Sequence, residues 1–372
     1  MSNPIIRPDS AINTPRWVTG TQSSIAQRGW PASLCYIPLS RRVDKNLYQY
    51  NIIAPNIVQY EFNEKTLTFQ VKHSFDATSV LPAGEVFHKI RPHGLDSSAN
   101  AIMFAHYNDD DTATASSIWR SLDNGLTWHP VLTRTAGAHA ERDIRHWHNI
   151  AYDPFSELWW ASSGDTDAEV EMWVSNDDGD NWVMVGSGTQ TYRTLNFVFT
   201  EDKIYWATDC LAAPGPEFVI HTKEAGFPFA LDKEEGASKN ISTLEINNLS
   251  YGVALNPFGI VIPTRYTTAA DGSRDASKLV WYLYAFEDSA LHTLIEFPTV
   301  GVTTAPGAND NIDIYPTQGR HCVIIVEEED LQTLKGSPGT ARWNFKITKT
   351  GGTWGIDLQP MYNFEYYPSY LV

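Results

Sequence analysis

The sequence predicts an all-β protein that folds as a single closed β-propeller. Six four-stranded blades are the expected count, with five or seven as alternatives. An eight-residue turn motif occurs twice, 54 residues apart. Short apolar, β-branched and aromatic runs, broken by Gly, Pro, Asn and Asp, replace helical periodicity along the chain. The 372 residues allow about 60 residues per blade, which suits four strands and their turns.

The repeated motif has the pattern Ser-x-Asp-x-Gly-x-Thr-Trp. It occupies residues 121–128 and, with Asn181 in place of Thr, residues 175–182. In a hairpin turn the Asp accepts backbone N–H bonds, the Gly adopts a positive φ, and the Trp packs between sheets. Each copy follows an apolar strand-like run, so the sequence predicts two equivalent turns on neighbouring blades.

The strand-like runs divide into six expected blades. These cover, in order, residues 24–73, 87–133, 144–185, 192–222, 244–298 and 312–358. The sixth blade contains a reduced motif at residues 350–354, which keeps Gly, Thr and Trp. The polar stretch 232–239 is expected to be a loop between the fourth and fifth blades. One domain is expected over residues 1–372, with an extended arm over residues 1–20 as an alternative.

Each expected blade rests on runs of β-forming residues. The clearest are residues 48–53, 67–71, 101–105, 158–161, 195–199, 203–207, 259–263, 279–283 and 322–326. Asp153-Pro154 and Asn256-Pro257 are turn signals between the first and second strands of the third and fifth blades.

The composition argues against several classes of partner. A formal net charge of −17 disfavours nucleic acid and anionic membrane surfaces. No run approaches the roughly 18 apolar residues of a membrane-spanning helix. Thirteen Trp and 17 Tyr suit both blade packing and stacking on sugars. Cys35, Cys210 and Cys322 are few and far apart, which predicts free thiols rather than a disulfide framework.

Basic, histidine and tyrosine residues open three consecutive blades. Because the first strand of each blade lines the channel of a propeller, residues that enter these strands share one face. They are Arg91, His93, Arg145, His146, His148, Tyr192 and Arg193. Arg91 and Arg145 are 54 residues apart, the spacing of the turn motifs, so they occupy matching places. We expect the seven side chains to converge, although alternation along the strand is able to point Arg145 away from the histidines.

These residue types suit recognition and cleavage of an acidic substrate. Arginine binds carboxylates bidentately, and histidine accepts protons near neutral pH. The predicted catalytic groups are His146, His148, His93 and Tyr192, and the predicted substrate-binding groups are Arg91, Arg145 and Arg193. The simpler alternative is that the histidines hydrogen-bond water and backbone carbonyls in a polar channel.

A metal site is a lesser alternative for the same histidines. His146 and His148 point to one face if their segment is extended. Such a pair can chelate Zn²⁺, and residues 165–169 offer carboxylates in the same blade. Nothing in the sequence fixes a third ligand, and a solvated acidic loop is the simpler explanation of residues 165–169. The prediction is therefore no cofactor, with a structural or catalytic metal ion as the alternative.

The turn motif resembles the Asp-box, or BNR repeat, of sialidase-like β-propellers. The resemblance covers residues 87–209, about a third of the chain, and includes His-x-His-x-x-x-x-Asp-Pro at residues 146–154. This group contains sialidases, other glycosidases, polysaccharide lyases and non-catalytic sugar-binding propellers. Sialidases carry Arg-Ile-Pro before the first box, whereas this chain has Ile90-Arg91-Pro92. The resemblance therefore implies a lyase or a His-dependent glycosidase more than a sialidase.

The predicted function is cleavage of an acidic polysaccharide of the uronic- or sialic-acid type, by a glycosidase or a polysaccharide lyase. Arg neutralises the sugar carboxylate, and His or Tyr removes the proton next to it. The alternative is a non-catalytic propeller that binds a glycan or a partner, including a receptor-recognition protein of a virion. The first residues lack the profile of a signal peptide. The cytoplasm, a virion, and secretion with the signal removed remain open as locations.

Overall fold

The computed structural model describes an all-β fold. The residues described are 40–43, 46–63, 68–87, 89–108, 112–136, 143–210, 215–223, 240–246, 250, 252–256, 258–264, 267–268, 274–275, 279–297, 312–316, 321–326 and 341–360. Over these ranges, helical structure is limited to three 3₁₀ turns at Ala77–Ser79, Asp167–Glu169 and Gln190–Tyr192. None of the helices in these ranges is long and apolar enough to span a membrane. Six four-stranded antiparallel sheets confirm the predicted β-propeller class.

The described chain divides into two compact units. The first comprises the described residues up to Ile204 together with those of His221–Ile241, and the second comprises Tyr205–Ile220 and those from Ser242 onward. Three complete sheets belong to the first unit, and in each of them every strand pairs with the next along the chain. Their strands are β1 (Ser40–Val43), β2 (Asn46–Ile53), β3 (Asn56–Asn63), β4 (Thr68–Asp76), β5 (Lys89–Ser97), β6 (Ile102–Tyr107), β7 (Ala115–Ser121), β8 (His129–Thr135), β9 (Trp147–Asp153), β10 (Leu158–Ser163), β11 (Glu171–Ser175) and β12 (Val183–Ser187).

The fourth sheet corrects one expected blade boundary. Its strands are β13 (Val198–Phe199), β14 (Lys203–Ala207), β15 (Glu217–Thr222) and β16 (Ile241–Glu245), in that order. The strands on either side of the polar stretch 232–239 are therefore neighbours in one sheet. This stretch connects two strands within the fourth blade, so its assignment as a loop between blades is wrong. The stretch itself lies outside the described residues.

The second unit contains the fifth and sixth sheets. Their strands are β17 (Ala254–Asn256), β18 (Gly259–Pro263), β19 (Thr267–Thr268), β20 (Arg274–Asp275), β21 (Leu279–Ala285), β22 (Ala290–Phe297), β23 (Ile312–Pro316), β24 (His321–Val326), β25 (Ala341–Thr350) and β26 (Thr353–Pro360). The pair β19–β20 forms a separate ribbon between β18 and β21. The reduced motif forms the β25–β26 turn, in which Gly351 and Gly352 have φ values of 58° and 87°. Trp354 behind it is buried in the core of this unit.

The two full motif copies form turns with the same hydrogen bonds. In the first, Asp123 Oδ1 accepts from the backbone N–H of Thr127 at 2.8 Å, and Trp128 Nε1 donates to Gly125 O at 3.1 Å. The corresponding bonds in the second copy have the same lengths, 2.8 and 3.1 Å. Each turn joins the third and fourth strands of its sheet. The predicted equivalence of the two turns is confirmed.

The glycine of each turn lies against the preceding blade. Gly125 has a φ of +88°, and a Cβ built there would lie 2.3 Å from Tyr50 Cε1. Gly179 has a φ of +89°, and a Cβ there would lie 2.8 Å from Met103 Cε. Tyr50 and Met103 are both on the second strand of their sheets, β2 and β6. Only glycine combines this backbone conformation with so close an approach.

A backbone carbonyl in each turn is also bound by the preceding blade. Gln59 Nε2 donates to Asn124 O at 2.7 Å, and Arg120 Nη1 donates to Asp178 O at 2.8 Å. Gln59 and Arg120 are on the third strand of their sheets, β3 and β7. The repeat seen in the sequence is therefore a repeated junction between neighbouring sheets.

The two motif tryptophans differ in burial. Trp128 is fully buried and packs against Tyr50 and Phe104, with ring centroids 5.8 and 5.2 Å away. Trp182 is only partly buried, at the edge of the cluster that contains Met103. The expectation that both are buried between sheets therefore holds for Trp128 and not for Trp182. Cys210 is a buried free thiol, as expected.

This difference predicts unequal effects of the same substitution. Trp128→Ala removes a fully buried ring and should cost about 3–5 kcal/mol of unfolding free energy. Trp182→Ala should cost clearly less, because its ring already contacts solvent in the native state. Urea denaturation of both variants measures the two losses. Equal losses, or a loss below about 1 kcal/mol for Trp128→Ala, would contradict the packing described here.

Candidate functional site

Two buried imidazoles meet at the start of β9. His146 immediately precedes this strand and His148 is its second residue. Their Nε2 atoms lie 3.1 Å apart, and both side chains are 2% exposed. The pairing of β9 with β10 skips His148, which is therefore the extra residue of a β-bulge. The two residues are two apart in the chain, and their rings meet on one side of this segment.

Asp165 brings a carboxylate to the two imidazoles. Its Oδ1 lies 3.8 Å from His146 Nε2 and 3.6 Å from His148 Nε2. Because β9 and β10 are antiparallel, the end of β10 lies beside the start of β9, and Asp165 follows that end closely. Gly164, with a φ of +136°, turns the chain at this point. A hydrogen bond from Thr166 N to Glu169 Oε2 holds the next turn.

Two arginines bind the same carboxylate. Arg193 Nη2 lies 3.0 Å from Asp165 Oδ1, and Arg193 Nη1 donates to the Asp165 carbonyl at 2.7 Å. Arg145 Nη1 lies 3.0 Å from Oδ2. The side chain of Arg193 is 18% exposed, whereas that of Arg145 is 42% exposed. Arg193 is therefore mostly buried and serves to hold Asp165 in place. Arg145 exposes part of its guanidinium group to solvent at the edge of the cluster.

Two residues of the second blade, Tyr107 and Asn108, contact His146. Asn108 O lies 3.2 Å from His146 Nδ1, just beyond the end of β6. The ring of Tyr107 covers the imidazole, with centroids 3.9 Å apart and an angle of 33° between the planes. Since a carbonyl oxygen only accepts, this contact places a proton on Nδ1. In the neutral ring the lone pair is then on Nε2, which faces His148 and Asp165.

The electrostatics of the cluster keep Asp165 ionised. Burial by itself raises the pKa of this carboxyl. The close approach of His148, His146 and Arg193 outweighs burial and holds the pKa of the Asp165 carboxyl well below its usual range. Asp165 is therefore an anchor for cations and not a proton donor at neutral pH. Nδ1 of His148 is buried and has no hydrogen-bond partner in the described part of the chain.

The structure gathers four of the seven predicted site residues, namely Arg145, His146, His148 and Arg193. Tyr192 is not gathered with them. Its ring packs against Gly186 on β12. Burial also raises the pKa of the Tyr192 phenol, which makes it a poor base.

Two predicted site residues have side chains outside the described residues. Arg91 and His93 lie on β5, and only their backbone is placed. Sequence reasoning also missed two members of the cluster, Tyr107 and Asn108. It proposed carboxylates in residues 165–169 without choosing Asp165. The Gly-Asp pair that directly follows β10 was the available signal for that choice.

Comparison with known proteins identifies the fold and no family. No family model matches the sequence, and no curated protein matches it. The structure is similar to a candidate 6-phosphogluconolactonase from Bacteroides uniformis, with a TM-score of 0.51 and 12% identity over 85% of this chain and 81% of that one. A Lactobacillus plantarum protein gives a TM-score of 0.47 and 10% identity over 83% and 78%. The WD40 domain of SCAP from fission yeast gives 0.39 and 11% over 77% and 70%. At 12% identity, the similarity to the Bacteroides uniformis protein shows a shared fold and does not identify a function.

The carboxylate of Asp165 should contribute to the stability of the fold. Asp165→Asn leaves the mostly buried Arg193 without its ionic partner and should cost about 1.5–3 kcal/mol, the range for hydrogen bonds to charged groups. Asp180→Asn is the matched control. Asp180 also pairs with an arginine, Arg120, at 2.6 Å, but its side chain is 66% exposed. Its loss should stay below about 1 kcal/mol. Urea midpoints at pH 7 measure both, and equal losses would show that Asp165 is not the anchor.

Proposed function

We propose that this cluster is the reactive site of a carbohydrate-active propeller that cleaves an acidic polysaccharide. The observation that carries the proposal is the buried imidazole pair beside an ionised carboxylate, with the half-exposed Arg145 at its edge. Guanidinium groups bind carboxylates strongly and directionally. The exposed side of Arg145 suits the carboxylate of a uronic- or sialic-acid-type sugar, whose reacting carbon then faces the imidazoles.

Of the two reaction types considered, the site favours elimination over hydrolysis. Glycosidases typically use two carboxyl groups, one of them protonated so that it can donate to the leaving oxygen. The described part of the chain places one carboxylate here, Asp165, and its lowered pKa keeps it ionised. A lyase needs instead a base and a cation near the sugar carboxylate.

The elimination uses the residues of the cluster in distinct roles. His148 Nε2 accepts the proton from the carbon next to the uronate carboxylate. The electrons of that C–H bond form a carbon–carbon double bond, and the bond to the leaving sugar oxygen breaks. The oxygen leaves with its electron pair and is protonated by water. Arg145 stabilises the negative charge that develops on the carboxylate, and Asp165 stabilises the imidazolium.

The repeated turns are consistent with this assignment at the level of the scaffold. They match the Asp-box in sequence and share one hydrogen-bond pattern. We therefore place the chain in the sialidase-like Asp-box group as part of the proposal. The fold likeness to the candidate 6-phosphogluconolactonase is consistent with a carbohydrate-related propeller. Fold likeness does not by itself establish an activity.

One observation favours a second candidate function. Both imidazoles are only 2% exposed, so a polymer must displace Arg145 or Tyr107 to reach them. A non-catalytic propeller that binds a glycan or a partner, including on a virion surface, needs no such access. In that case the cluster is a structural junction between the second and third blades and the segment that carries Arg193.

The enzyme is tested by removing each imidazole. His148→Ala and His146→Ala should each lower the rate of cleavage of the best acidic polysaccharide at least about 100-fold, as expected for loss of a general base or its partner. Absorbance of the unsaturated uronate and new reducing ends measure the rate. His292→Ala is the matched control, because His292 also pairs with a carboxylate, Asp288, at 2.9 Å on another blade.

Polymer binding measured on the same variants separates the two candidates. Retained binding with lost cleavage supports the lyase. Binding of an acidic polymer by the wild-type protein without any product from the panel would favour the recognition protein. New reducing ends without unsaturated product would show hydrolysis and overturn the elimination.

A further inference from the structure

The cluster brings three electron-pair donors to one point. The Nε2 atoms of His146 and His148 and Oδ1 of Asp165 form a triangle with sides of 3.1, 3.6 and 3.8 Å. The circumradius of a triangle is the product of its sides divided by four times its area. For these sides it is about 2.0 Å, which matches Zn–N and Zn–O bonds of about 2.0–2.2 Å.

The hydrogen bonds around the triangle prepare these atoms for a cation. The Asn108 carbonyl fixes the proton of His146 on Nδ1, so the Nε2 lone pair faces inward. Metal-binding histidines commonly make this contact to a backbone carbonyl. Asp165 is ionised and held in place by Arg145 and Arg193. Lone pairs and a negative charge at this separation repel each other unless a proton or a metal ion lies between them.

We propose that His146, His148 and Asp165 bind one divalent first-row transition metal ion, with Zn²⁺ the best match to the donor set. Two imidazoles and one carboxylate leave an open coordination position, as in metal sites that accept an exogenous ligand. Imidazole donors favour transition metals over Mg²⁺ and Ca²⁺, which prefer oxygen. Each carboxylate oxygen has two lone pairs, so Oδ1 can bind Arg193 and the ion together.

The charges around the site bear on its affinity and on its ligand. Arg145 and Arg193 already outweigh the single negative charge of Asp165. The site therefore binds an ion less tightly than an isolated set of two histidines and one aspartate. The loaded site carries an excess of positive charge, which favours an anion in the open position. A sugar carboxylate held by Arg145 has the required charge, and this part of the inference rests on the proposed function.

Metal occupancy has a defined consequence for the proposed elimination. An ion bound through both Nε2 atoms occupies the lone pair that would accept the substrate proton. Zn²⁺ should therefore inhibit cleavage, and a chelator should restore it. The site is then a metal-dependent switch on the reactive centre.

The test uses the full-length protein after removal of metals with a chelator. Titration with Co²⁺ should give visible absorption bands of nitrogen-ligated Co²⁺ that saturate at about one ion per chain, with Zn²⁺ displacing them. Mg²⁺ should cause no change. Glucuronate should alter the bands of the loaded protein, whereas glucose should not. His146→Ala and His148→Ala should each lower the affinity at least about 100-fold, the upper end for loss of a supporting partner. His292→Ala should leave it unchanged.

A second measurement uses the wild-type protein and so tests the metal site even if the histidine variants do not fold. Zn²⁺ should raise the Tm of the wild-type protein in a concentration-dependent way, and Mg²⁺ should not. Absence of Co²⁺ bands together with an unchanged Tm in Zn²⁺ would overturn the metal site and leave the proposed lyase standing. Stoichiometric metal binding with cleavage that requires the ion would uphold the site and overturn the role of His148 as base.

Discussion

The junction between each motif turn and the blade before it is the constraint on which the site depends. Gly125 lies against Tyr50 and Gly179 against Met103, at equivalent places on successive sheets. A carbonyl of each turn is bound by the third strand of the same preceding sheet. These junctions fix how far one sheet is shifted along its neighbour. The end of β6, with Tyr107 and Asn108, is thereby held beside the start of β9.

Asp165 plays the corresponding role within the site. Its single carboxylate is shared by two arginines and lies within 4 Å of two imidazoles. Burial of so many ionisable groups is costly, and such clusters occur mainly where charge is used for binding or chemistry. The arrangement gives the carboxylate a low pKa and leaves the imidazoles as the groups able to exchange a proton or bind an ion. In the proposed lyase, stability and reactivity therefore depend on the same residue.

The parts of the structure that depend on local sequence could be predicted. The motif turns form because eight residues supply their own hydrogen bonds, and His146 meets His148 because residues two apart share a face. Asp165 could not be chosen, because its place depends on where β10 ends and on the bulge at His148. Tyr192 was expected to join the cluster because it directly precedes Arg193, but its buried ring packs against Gly186 on β12. The last strand of the fourth blade was missed because it follows the polar stretch 232–239, and among the described strands it pairs with β15 alone.

His146, His148 and Asp165 direct their donor atoms at a single point beside the end of β6, the start of β9 and the end of β10. Anomalous diffraction at the zinc edge, from crystals soaked in Zn²⁺, tests this most directly. The account predicts a peak within about 2.0–2.2 Å of both Nε2 atoms and of Oδ1 of Asp165. Imidazoles turned away from each other, with the bound zinc elsewhere on the surface, would contradict it.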